Sequence, residues 1–173
     1  MNLEAVVTIT ARLQSWAVIG AWALAARGYV RQTSDFDLMT TDRTALDEAT
    51  WTDLSSGGYR IEVRRGDHED PLAGVVRIQW RDFPIDLVVA KYKWQQAIID
   101  RAETMTIETV ALRVPRAADL ILLKLFAGGH GDLHDIGRLL VIGPREELIA
   151  EVDAALGELP DEMRIRWAGL LLL

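Results

Sequence analysis

The chain contains no cysteine, which excludes a disulfide framework and any thiolate metal site and agrees with a reducing compartment, so the expected location is the cytoplasm. Histidine is scarce too: there are three, His68, His130 and His134. His130 and His134 are four apart, but Gly128, Gly129 and Gly131 around them give no assurance of a continuous helix. No third nitrogen ligand is near, so a histidine metal centre is not expected. No apolar run is long enough to cross a bilayer; the richest windows are Trp16 to Ala26 and Leu120 to Ala127, and Lys124 interrupts the second. Met1 to Thr10 lacks a basic start and contains Glu4, so no secretory leader is expected. Positive charge is in deficit, with a formal net charge of −7, which argues against broad adhesion to nucleic acid. A local patch of Arg64, Arg65, Arg77 and Arg81 could still hold an RNA, although arginines on alternating strands read equally as a solvated face.

Half of the 173 residues are hydrophobic, enough for one domain to bury a substantial core. Leu3 to Leu13 reads as a helix and Trp16 to Ile19 as a short buried strand. Gly20 follows, then Ala21 to Arg27, rich in strong helix formers and ending at Gly28, where a cap is expected. Residues 35–40 make the next strand, and a helix is expected from Thr44 to Leu54, stopped by Ser55-Ser56-Gly57-Gly58. Tyr59 to Arg64, Val75 to Trp80 and Phe83 to Ala90 read as strands, with Gly66 to Gly74 as a polar connection and Arg81-Asp82 as a tight turn. A helix over Tyr92 to Arg101, a strand over Ile107 to Val114 and helices from Pro115 onward complete the pattern. The expectation is one compact α+β domain, with residues 1–114 as a core and 115–173 as a helical segment packed on it.

Asp35 and Asp37 stand one residue apart in a strand-like run, which puts their side chains on one face about 6.5–7 Å apart along the chain. Phe36 and Leu38 then take the other face, toward the core. Alone, the pair reads equally as a solvated turn. Asp86 shifts the balance, because it sits in the middle of the apolar stretch Phe83 to Val89 with none of the residues that mark turns. A carboxylate there is costly unless a cation meets it; the outward face of an edge strand is the alternative. Three acids on neighbouring strands supply the oxygen ligands that magnesium ions take in metal-assisted phosphoryl or nucleotidyl transfer.

In this order (a strand, Gly20-Ala21, a helix, Thr33-x-Asp35-x-Asp37 on the next strand, Asp86 on a later one) the chain resembles the DNA polymerase β-type nucleotidyltransferases. The resemblance implies a mixed twisted sheet flanked by helices, with a helical C-terminal segment. It also implies a magnesium-dependent enzyme that moves a nucleoside monophosphate from a nucleoside triphosphate to an acceptor hydroxyl. Asp35 and Asp37 would bind metal, Asp86 would bind metal and help to deprotonate the acceptor, and Gly20 and Ala21 with Thr33 or Ser34 would cradle phosphates. Ala21 departs from the Gly or Ser usual in that family, which removes a serine contact but keeps the turn. Gly20 lets the backbone approach an anion without a Cβ in the way, beside the free amides of a helix start; a plain strand-to-helix turn is the alternative.

The segment Val114-Pro115-Arg116-Ala117-Ala118-Asp119 through Lys124-Leu125, followed by Asp132-Leu133-His134-Asp135-Ile136, is similar to the AbiEii-type branch. That branch includes nucleotidyltransferase toxins of toxin–antitoxin systems, which implies RNA, particularly the 3′ end of transfer RNA, as acceptor and an antitoxin as partner. The acidic balance suits a small-molecule or protein hydroxyl equally, and a non-catalytic partner-binding module on the same fold is a further alternative. Lys124 has apolar neighbours on every side, so it either snorkels to the surface or aims its charge at nucleotide phosphates. In the second case Lys124→Met is expected to keep or raise stability. Asp132 reads as a helix cap, and Asp135, a turn further in, as a group that orients Lys124 or another active-site residue. The terminal Leu170 to Leu173 is expected to be packed, on the chain's own core beside the Lys124 helix or on another subunit.

Overall fold

Alternation of apolar and polar residues builds a five-stranded sheet whose order places the three acids of interest side by side. The computed structural model describes residues 3–157 and 159–172. Its main sheet comprises β1 (Trp16–Val18), β2 (Phe36–Thr40), β3 (Arg60–Arg65), β4 (Gly74–Trp80) and β5 (Phe83–Val89), in the order β1-β2-β5-β4-β3. Only the β2–β5 pair is parallel; the others are antiparallel, so the sheet is mixed. β5 is therefore the central strand, and Asp86 is not on an edge.

The helices are α1 (Glu4–Thr10), α2 (Gly20–Ala26), α3 (Thr52–Ser56), α4 (Lys93–Asp100), α5 (Ala117–Ala127), α6 (His130–Ile142), α7 (Arg145–Leu156) and α8 (Asp161–Leu171). One face of the sheet, carrying Phe36, Leu38, Val76, Ile78, Ile85, Leu87 and Val89, is fully buried. α5 is buried almost all round, as its composition requires, and touches α2, α6, α7 and α8. Arg27 ties α2 to its entry, donating to the carbonyls of Pro115 at 2.8 Å and Val114 at 3.2 Å. At its other end Gly128 turns left-handed, and Arg166 of α8 donates to the free carbonyls of Leu125 and Phe126.

Three local expectations change. The helix over 44–54 is two 3-10 turns, Arg43–Leu46 and Glu48–Trp51, before the short α3. Asp42 caps the first through the Thr44 amide at 3.0 Å, and the buried Trp51 indole donates back to Ala45 at 2.8 Å, holding a tighter path than an α-helix allows. The strand over 107–114 is a hairpin, β6 (Glu103–Ile107) with β7 (Val110–Val114), turned by Glu108 at φ 54°. A turn without glycine leaves little trace in a sequence. Finally, α6 runs unbroken from His130 through Gly131 and Gly137, with both histidines exposed.

Candidate active site

Parallel pairing of β2 with β5 makes Asp37 the register partner of Asp86. Asp35 immediately precedes β2, and the three carboxylates each offer an oxygen within 4.8 Å of the others, the one such cluster among the described residues. The expected triad thus comes together, on the face opposite the core side chains Phe36 and Leu38. Each acid has its own support. The Trp22 indole, stacked on Phe36, donates to the Asp35 carbonyl at 3.1 Å, and the Thr33 hydroxyl donates to the Asp35 carboxylate. Asp86 accepts from Arg77 through both oxygens at 2.9 Å.

Asp37 has no such help. Burial, then the neighbouring charges of Asp35 and Asp86, push its pKa up from 3.8 to about 6, against a smaller pull from Arg31 and Lys124. Gly20 explains why Asp37 fits at all: at φ +64° it starts α2, and a Cβ there would lie 1.9 Å from Asp37 Oδ2. The glycine is needed for the carboxylate as well as for any approach by an anion. Ala21 is buried and so offers only its backbone, whereas Ser34 is exposed in the loop before β2.

Lys124 does not snorkel. It is 9% exposed, and its Nζ donates to Asp132 Oδ1 at 2.7 Å and pairs with Asp135 Oδ2 at 2.8 Å. Asp132 also accepts from the Gly129 amide at 3.1 Å, so it caps α6 as expected and holds Lys124 besides. Asp135 is 3% exposed and faces a second cation, Arg31 Nε, at 3.4 Å. Two cations close enough to act on Asp37 therefore converge on one buried carboxylate.

Arg77 and Arg31 were not singled out for the site by the sequence. Arg77 could have been found, since the Arg81-Asp82 turn fixes the β4–β5 register, and counting outward from it sets residue 77 opposite residue 86. Arg31 lies in an irregular loop and carries no such signal. The other arginines of the patch are exposed: Arg64 pairs with Glu62 at 2.7 Å, Arg65 with Asp47 at 3.0 Å, and Arg81 lies over Trp80.

Three carboxylates with oxygens this close, one of them with its pKa raised by burial and by the other two, form an oxygen-rich donor set that could hold a hard divalent cation. No helix among the described residues is long and apolar enough to cross a membrane.

No family model and no curated protein matches the chain. Solved structures do. The solution structure of the antibiotic-resistance factor ANT(2'')-Ia is similar over 98% of this chain and 94% of that one, with a TM-score of 0.55 and 16% identity. A crystal structure of ANT(2'')-Ia in complex with adenylyl-2''-tobramycin is similar over 98% and 96%, with a TM-score of 0.50 and 16% identity. An antigenic nucleotidyltransferase-like protein from Paracoccidioides brasiliensis is similar over 94% and 90%, with a TM-score of 0.50 and 15% identity. With its mixed sheet, flanking helices and clustered acids on neighbouring strands, the chain has the nucleotidyltransferase fold.

Proposed function

We propose that the protein is a nucleotidyltransferase, which moves a nucleoside monophosphate from a nucleoside triphosphate to an acceptor hydroxyl. The observation that carries this reading is the register pairing of Asp37 with Asp86, with Asp35 alongside and Gly20 making room. Asp35, Asp37 and Asp86 would hold magnesium, which when bound neutralises triphosphate charge and acidifies the acceptor hydroxyl. Asp86 takes the hydroxyl proton as the acceptor oxygen bonds to the α-phosphorus, and the bond from that phosphorus to the pyrophosphate breaks. The Gly20 and Ala21 backbone, with Thr33 or Ser34, cradles phosphates. Lys124 and Arg31 meet their charge, and Asp135 keeps both cations in place. Positioning and electrostatics supply most of the acceleration, since phosphoryl chemistry asks little covalent work of the protein.

Two observations bear on the acceptor. The spacing of Lys124, Asp132 and Asp135 along the chain is what resembles the toxin-type branch, and that resemblance is the support for RNA as acceptor with an antitoxin as partner. The ANT(2'')-Ia complex carries an adenylylated small molecule, which favours a small hydroxylated acceptor. Incubation with labelled nucleoside triphosphates, magnesium, total RNA, small hydroxylated acceptors and lysate protein separates them by where the label goes. A labelled product lost in Asp37→Asn supports the enzyme; silence across all acceptors favours a non-catalytic module on the same fold.

A further inference from the structure

Arg77 is the one cation hydrogen-bonded to any of the three clustered carboxylates among the described residues. Its place is set by two registers at once. Asp86 faces it from β5 and Glu62 faces it from β3, so Asp37, Asp86, Arg77 and Glu62 form a row across four neighbouring strands. The guanidinium uses Nε on Asp86 Oδ1 and Nη2 on Oδ2, both at 2.9 Å, a planar fork that fixes the plane of the carboxylate. That fork takes one lone pair from each oxygen and leaves one on each.

Nothing about this pair serves the core. The Arg77 side chain is 59% exposed, and the Asp86 side chain 19%. The adjoining cavity of about 350 Å³, lined by Arg77, Val75, Gly74, Arg64, Asp70 and Leu72 among others, opens on the β3 side, away from Lys124 and Arg31 on the β2 side. Arg77 thus bonds Asp86 and also lines that cavity.

We propose that Arg77 is the positioning residue of Asp86: its fork holds the carboxylate so that one oxygen is presented to metal and the other to the acceptor proton, and its charge tempers the pull of the acids on metal. The assignment rests on the transfer reaction proposed above. A lysine at the same place keeps the charge but offers a single point of contact instead of a fork.

Mn²⁺ titration without nucleotide, combined with transfer kinetics, tests this on Arg77→Met and Arg77→Lys, with thermal melts to confirm folding. Removing a cation beside a divalent site should tighten Mn²⁺ binding in Arg77→Met by about threefold or more. Transfer should nevertheless slow by roughly 10- to 100-fold in kcat, with the KM for the triphosphate unchanged. Arg77→Lys should bind Mn²⁺ as the parental protein does and still transfer roughly tenfold more slowly, for want of the fork. Parental kcat in Arg77→Lys overturns the proposal, and so does weaker Mn²⁺ binding in Arg77→Met, which would mark Arg77 as mere structural support. If the parental protein transfers nothing to any acceptor, the transfer reading falls by itself, and the Mn²⁺ titration still decides whether Arg77 governs the acids.

Discussion

Asp37 is the residue at which burial, repulsion and chemistry meet. Its folded pKa, raised to about 6 from 3.8, means that the metal-free fold holds a proton which the unfolded chain releases at lower pH. This term therefore favours the fold most below pH 3.8, declines as pH rises toward 6, and levels off above, where it costs about 2–3 kcal/mol. Asp37→Asn removes it. The melting temperature of the mutant minus that of the parent should grow between pH 4 and 7 in the absence of metal, while transfer is abolished. A difference that stays flat with pH would mean that Asp37 is not strained. Parental transfer in the mutant would end the enzyme reading. The residue scale was the most legible in the sequence, because alternation of Asp35, Phe36, Asp37 and Leu38 already separates a core face from an acid face. The partnership of Asp37 with Asp86 was not, since a parallel pair separated by the whole β3–β4 hairpin has no local register signal.

At the scale of elements, the α5–α6 pair overturns an expectation. A lone lysine on an apolar helix looks replaceable, yet Lys124 is bonded to two acids, and the nearly inaccessible Asp135 would be left with Arg31 at 3.4 Å. Removing one partner of a buried pair strands the other, so Lys124→Met should cost about 3–5 kcal/mol, not spare stability. Chemical denaturation of Lys124→Met and of Lys124→Met/Asp135→Asn checks this: the second change should restore part of the loss, and additive losses would refute the coupling. The β1–α2 junction gives a second test. Gly20→Ala adds a Cβ at 1.9 Å from Asp37 Oδ2 in a left-handed backbone, so it should abolish the rise in melting temperature on adding magnesium and nucleotide. A full rise in the mutant would show that the junction yields. Most elements followed from periodicity, and the misses share a cause: the 3-10 turns at 43–51 and the Glu108 hairpin are set by the tertiary demand of Trp51 and by backbone at φ 54°, neither of which periodicity records.

For the whole molecule, the question is how the C-terminal helices complete a core that begins at Leu3 and includes Trp167. The fold class was legible because strands gather before Pro115 and helices after it, whereas which helix face meets α5 depends on contacts distant in sequence. Trp167 is buried, with its indole donating to Asp153 at 2.7 Å, and α8 rests on α5. Of the terminal leucines, Leu170 and Leu171 are half-buried against the core, Leu172 is exposed at 88%, and Leu173 lies outside the described residues. Packing within the chain thus takes the first two and leaves the third bare. Deleting residues 170–173 removes two partial leucine burials, about 1–2 kcal/mol together. In a chain of this size that corresponds to a fall of about 2–8 °C in melting temperature. The fall should be the same at every protein concentration, because both leucines pack against the chain's own core. Sedimentation of parent and truncation side by side gives the deciding comparison: a stable truncation that sediments as a smaller species would assign the leucines to an interface between copies, and a truncation that melts with the parent would show that the two half-buried leucines contribute nothing to the core.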